Sequence, residues 1–221
     1  MTEANDVLTI DVVSDVVCPW CYLGEKRLEA ALAEESRQVA VRWRPYQLDP
    51  TIPEGGLDRA DYLERKFGWD GRLKSIHDQL ARLGAEGGIS FAFDKILRAP
   101  NTLDAHRLIR WAGSARAQHE VVDRLFCAYF TEGRNIGDRA VLLDVAVASG
   151  LDADIVEKLP ADGADADAVR REIAQAQAIG VTGVPFFIFA GRIGVPGAQG
   201  VPLLRRAMSQ ARAEMNEKPA A

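Results

Sequence analysis

The chain has 221 residues, 27 of them basic and 32 acidic, for a net charge of −5, and 48% of it is hydrophobic. That length holds one substantial domain, or one domain carrying an insertion, and the hydrophobic share suits an ordinary globular core. The acidic balance argues against a general nucleic-acid binder, and no apolar run is long enough to span a membrane. The first six residues are acidic and polar, without the basic start and apolar run of a secretory signal, so a cytoplasmic location is expected.

Residues 7–13 are rich in β-branched side chains and predict a buried strand. Residues 19–35 predict a helix. Leu23, Leu28, Ala31 and Leu32 form its core stripe, and Glu25, Lys26 and Glu29 lie on the other side. Gly24 weakens it slightly. At the junction stands Cys18-Pro19-Trp20-Cys21, two cysteines separated by two residues where a strand turns into a helix. The attacking species in disulfide exchange is the thiolate. A helix N-terminus carries unpaired N–H groups and about half a positive charge, which stabilise an anion there. Pro19 suits the first helical position. Cys18 is therefore read as the nucleophile, and Cys21, one turn further in, as the resolving thiol. Three cysteines are not a secreted disulfide framework. Half a zinc site would need its other half, yet Cys127 is the sole other cysteine, and His77, His106 and His119 show no ligand spacing. No metal is expected.

Residues 39–44 alternate at period two and predict a second strand, parallel to the first through the intervening helix. Pro45, Pro50, Pro53, Gly55 and Gly56 then break regular structure. Helices are predicted over 58–67 and 70–84, the second stopped by Gly84, Gly87 and Gly88, and over 102–113 and 115–131. Others follow at 138–149, capped by Asp138, at 152–159 and at 165–178. The β signal returns at 185–189, with a turn at 190–192 and a partner strand from Ile193. A helix over 201–215 precedes a frayed tail. The fold class expected is α/β. Residues 1–46 and 180–221 are too small to bury separate cores, so they form one sheet, and 47–179 is a helical insertion.

These residues resemble the DsbA branch of the thioredoxin superfamily, through Cys18-Pro19-Trp20-Cys21 at the helix start, the long helical insertion, and Val181-Thr182-Gly183-Val184-Pro185 before a late hairpin. Segments such as Asn101-Thr102-Leu103-Asp104-Ala105-His106-Arg107 and Gly194-Val195-Pro196-Gly197 are most similar to its FrnE-like group. The resemblance implies a thioredoxin fold and thiol–disulfide oxidoreductase activity on protein or small-thiol substrates. It implies a cis Val184–Pro185 peptide facing Cys18, with Pro185 part of the catalytic set. Pro19, Trp20, Thr182, Val184 and Asn101 are then expected at the substrate. No cofactor is expected, with glutathione a candidate co-substrate and a homodimer left open. Thioredoxin-like proteins often place a buried carboxylate six positions before the first cysteine; here that position is Val12. Asp11 is expected on the far side of its strand, and Asp15, close to Cys18, would oppose its thiolate.

Two other readings stand beside this one. Asn101, Thr102, Ala105 and Arg107 are similar to part of the glutathione site of kappa-class glutathione transferases and 2-hydroxychromene-2-carboxylate isomerases. Those proteins generally carry serine at the position of Cys18, and an acidic residue where this chain reads Gly197-Ala198-Gln199-Gly200. The plainer reading of Asn101 and Arg107 is a helix cap and its flank. A binding protein or chaperone could use Phe67, Trp69, Phe91, Phe93 and Trp111 as a groove, although a packed core explains them too. Cys127, in an apolar run, is expected to be a buried small residue.

Overall fold

A computed structural model describes residues 7–68, 71–154 and 164–216. Six strands are described, β1 (Leu8–Ser14), β2 (Val39–Pro45), β3 (Leu57–Asp58), β4 (Arg98–Ala99), β5 (Phe186–Phe189) and β6 (Ile193–Pro196). The helices are α1 (Pro19–Leu32), α2 (Arg59–Phe67), α3 (Arg72–Glu86), α4 (Leu103–Ala112), α5 (Gln118–Phe130), α6 (Arg139–Ala148), α7 (Ala164–Ala178) and α8 (Val201–Asn216).

Both ends of the chain build one four-stranded sheet, ordered β2-β1-β5-β6. β1 pairs parallel to β2 and antiparallel to β5, and β6 closes a hairpin with β5. The two-residue period of a strand sorts the side chains. Leu8, Ile10, Val12, Phe187 and Phe189 pack in the core that also holds Leu23 and Leu28 of α1 and Leu204 and Met208 of α8. Val13, Phe186 and Ile188 meet Ala176 of α7 and Val181 in a second cluster. Asp11 falls between these residues in register. It pairs with Arg42 at 2.6 Å and Arg44 at 2.8 Å, and Glu172 of α7 lies 3.8 Å from Arg44.

Helices fill most of the chain between the two sheet-forming ends, and β3 and β4 add a short antiparallel ladder to that part. Several boundaries differ from the sequence expectation for local reasons. α1 ends at Leu32, where the Ala33 N–H closes onto Glu29. Gly84 does not stop α3; a Cβ there would stand 2.7 Å from the Phe91 ring, so the glycine admits that ring and the helix continues to Gly87. α5 starts three residues late, after Arg116 turns to a positive φ of 57°. Asp138 precedes α6 without capping it, its carboxylate accepting instead from Asn135 at 2.7 Å. The helix expected over 152–159 lies mostly outside the described residues, as does the tail from 217.

Candidate active site

β1 delivers Cys18 to the N-cap of α1, with Pro19 as the first helical residue. The Cys18 N–H donates to the Asp15 carbonyl at 2.9 Å, and its own carbonyl accepts from Cys21 at 2.9 Å. No acidic residue occupies the first turn, so nothing there opposes the dipole. Both thiols are free and nearly buried, Cys18 4% and Cys21 1% exposed. Burial, and then the neighbouring Cys18, holds the Cys21 thiol well above its ordinary range, while the Ser14 hydroxyl pulls it back. The inner thiol therefore keeps its proton until called on.

The loop before β5 comes to Cys18 from 166 residues away. The Val184–Pro185 peptide is cis, and the Cys18 Sγ lies 3.6 Å from the Val184 carbonyl oxygen. The Pro185 carbonyl accepts from Gly197 at 2.8 Å, tying this loop to the turn beyond β6. Gly24 lets α1 approach it, since a Cβ there would lie 2.9 Å from Pro185 Cγ and 3.2 Å from Phe187 Cζ. Gly24→Ala gains about 1 kcal/mol of helix propensity and meets an overpacking cost of about 1–3 kcal/mol against a rigid ring. The expected net is a loss of about 1 kcal/mol in urea unfolding, with slower reaction at Cys18 as Pro185 is pushed away. A more stable variant would show that the ring yields freely.

A cavity of about 380 Å³ opens beside Cys18, walled by Val17, Pro19 and Trp20 on one side and by side chains of α2 and α3 on the other. Gly183, Val184, Pro100 and Thr102 also line it. Asn101 does not, and its amide is engaged in tying its own loop to the segment around Ile52. Its Nδ2 donates to Ile52 at 2.6 Å, and its Oδ1 accepts from Leu103 at 2.9 Å. Thr182 is exposed and stands outside the cavity lining. Of the candidate groove aromatics, Phe67 and Phe93 line the cavity. Phe91 packs edge-on to Tyr22 and Phe130, and Trp111 donates to Asp165 at 2.6 Å and lines a different cavity, with Arg42, Arg44 and Glu172. Trp69 lies outside the described residues.

Asp15 is buried and turned away from the role expected of it. Its Oδ2 accepts from the Leu48 N–H at 2.8 Å, and its Oδ1 lies 3.3 Å from the buried His106 Nε2. Sequence reasoning missed this tie between the Cys18 loop and α4, which no spacing could reveal. Cys127 is half-exposed rather than core, with Glu132 3.9 Å from its sulfur. Among the described residues, Glu25, Glu29 and His119 could together hold a cation, yet Lys26 Nζ already lies 3.0 Å from Glu29 and 2.5 Å from Asp123.

Across residues 9–209 the chain matches the model of the DSBA-like thioredoxin domain. The chain belongs to that family. A probable DsbA oxidoreductase from Streptomyces coelicolor is 31% identical, with a TM-score of 0.85 over 97% of this chain and 93% of that one. YwbO of Bacillus subtilis (strain 168), itself described as uncharacterized, is 29% identical over 201 residues, 90% of this chain and 95% of its own. The cytosolic disulfide reductase DsbM of Pseudomonas aeruginosa, solved also with GSH, shares the fold at 23% identity and a TM-score of 0.63, over 94% and 96% of the two chains. Within the DSBA-like family the site here is read as an oxidoreductase or isomerase centre, and no described helix is long and apolar enough to cross a membrane.

Proposed function

We propose that this protein is a thiol–disulfide oxidoreductase in which Cys18 attacks and Cys21 resolves. The observation that carries the reading is the Cys18 sulfur at the N-terminus of α1, 3.6 Å from the Val184 carbonyl and at the edge of the cavity. A helix N-terminus favours the thiolate. That thiolate displaces one sulfur of a substrate disulfide and forms a mixed disulfide. Cys21 then attacks Cys18 Sγ, its proton passes to the leaving sulfur, and the pair ends oxidised while the substrate gains two electrons. Run in reverse, the same steps oxidise a dithiol. Cys18, Cys21 and Pro185 form the catalytic set, with Pro19, Trp20 and Val184 against the substrate. We place the protein in the cytoplasm, with glutathione as reducing co-substrate; DsbM, solved with GSH, supports that choice of first probe. A glutathione-dependent isomerase or transferase is disfavoured by the intact pair and by Gly197–Gly200, which lacks a carboxylate.

The test is a redox titration of the purified protein against glutathione, followed by the fluorescence of half-buried Trp20 beside the pair. A reversible two-electron transition is expected, and its midpoint sets the direction in the cell, about 30 mV being worth about 1.4 kcal/mol. Glutathione binding without any such transition would replace this reading with the isomerase or transferase one.

A further inference from the structure

The cavity beside Cys18 is walled mostly by carbon, yet it contains an arginine with no acidic partner among the described residues. Arg59 opens α2, where a cation faces the positive end of the helix dipole. It is half-buried, donates from Nη1 to the Phe93 carbonyl at 3.3 Å, and stands 6.0 Å from the centroid of the Phe93 ring. Among the described residues no carboxylate pairs with it. The adjacent Asp58 turns back to cap α2, accepting from Ala60 and Asp61. Asp49 is the carboxylate in the described lining, and it accepts from Thr51 N and Oγ1 at 3.0 and 2.5 Å. Lys66, which donates to the Tyr62 hydroxyl at 2.7 Å, adds to the positive side of the cavity, whereas burial and the nearby Arg59 hold His77, stacked 4.0 Å from Phe93, toward its neutral form. Burial lowers Arg59 below the usual guanidinium range.

A guanidinium half withdrawn from water with no carboxylate beside it carries an uncompensated desolvation cost. The cavity also leaves apolar surface unfilled. α2 buries none of its residues, and Leu63, Leu73 and Ile76 of α2 and α3 face the space only half-covered. Both costs vanish if one molecule brings an apolar body and an anion together. At about 380 Å³ the space falls in the range of small-molecule sites.

Resting on the oxidoreductase reading above, we propose that the substrate is a small organic disulfide, or its thiol, with an apolar body and a carboxylate. The body fills the cavity under α2 and α3, the carboxylate pairs with Arg59, and the sulfurs lie against Cys18. In a single turnover Cys18 thiolate breaks the substrate S–S bond, expels one organic thiolate and forms the mixed disulfide. Cys21 attacks Cys18 Sγ, gives up its proton, and releases the second organic thiol, so the protein pair supplies both electrons.

Reduced protein, taken as the Cys18-dependent phase, is mixed with an anionic aromatic disulfide, dithiobis-nitrobenzoate, and a neutral one, dithiodipyridine. Arg59→Gln is expected to slow the anionic probe about tenfold more than the neutral one, the size of one partly screened charge-assisted contact, and Arg59→Lys to restore much of it. A normal rate with the neutral probe shows that the variant is folded. Should Arg59→Gln fail to fold, wild-type protein answers through protection: phenylbutyrate is expected to slow alkylation of Cys18 by iodoacetamide, and the uncharged phenylbutyramide is not. Equal effects on both probes, or equal protection by acid and amide, overturn the substrate class and leave the oxidoreductase reading standing. If wild-type Cys18 reacts with neither disulfide, that underlying reading falls, and this inference with it.

Discussion

Cys18→Ser is expected to reduce exchange with glutathione disulfide to the background of buffer, whereas Cys21→Ala keeps the first step and traps its product. The reason lies in the two environments. Cys18 sits at the N-terminus of α1, the end of a helix that accepts an anion in general, and at the edge of the cavity, where a substrate can reach it. A serine hydroxyl there has no comparable acidity and gives no sulfur bond. Cys21 is fully buried and its thiol is held well above the usual range, so it cannot begin the reaction. It can act once Cys18 carries a disulfide, because that bond places an electrophilic sulfur within its reach. Intact-mass measurement after mixing with glutathione disulfide is therefore expected to show one glutathione on Cys21→Ala, none that persists on wild type, and none on Cys18→Ser. Cys127 supplies the internal control. It is half-exposed, and burial and the Glu132 charge keep its thiol raised. An adduct that survives in Cys18→Ser would place the reactive thiol at Cys127 and remove Cys18 from the mechanism.

The parts legible in the sequence were those written in local spacing. The β-branched run of β1, the Cys18–Cys21 spacing and the alternation of β2 define a strand, a helix start and a parallel partner within 46 residues. The late Phe186–Phe189 strand shows itself by its apolar content and the turn after it. What stayed hidden depends on residues far apart in the chain. Gly24 reads as a weak point in a helix, and its use appears only when Pro185 and Phe187 arrive against it. Asp15 reads as a charge next to Cys18, and its real partners are Leu48 and His106. Asn101 fits a ligand contact in sequence, but Ile52 and Leu103 occupy its amide. Arg59 lies in a polar stretch that looks like any surface helix, because the loop carrying Phe93, which covers it, comes 34 residues later.

Glu25 is the other case, and it carries the largest stability effect expected. By helical spacing it belongs with Lys26 and Glu29 on the outer side of α1, yet it is 1% exposed and, among the described residues, neither carboxylate oxygen has a hydrogen-bond partner. Lys26 Nζ is 3.8 Å away and is drawn to Asp123 and Glu29 instead, and His119, 3.7 Å away through Nδ1, turns its Nε2 to Glu29 at 2.8 Å. Burial pushes its pKa up to about 9 from the ordinary 4.5. Between those values the folded protein holds a proton that the unfolded chain has released. Stability therefore falls as pH rises through that window, by up to about 1.4 kcal/mol per unit. Glu25→Gln keeps the neutral shape and removes the titration. The variant is expected to match wild type near pH 4 and to exceed it by about 3 kcal/mol at pH 7, with a wider gap near pH 9, measured by urea unfolding at the three values. Glu29, His119 and Asp123 face Glu25 in both chains, so their own titration largely cancels from the difference. A gap that does not change with pH would mean that Glu25 is charged in the folded protein. In that case a buried anion would stand one helical turn behind Cys21 and work against the second thiolate that the mechanism requires. A neutral Glu25 leaves the amino-terminal turns of α1 free of that opposing charge.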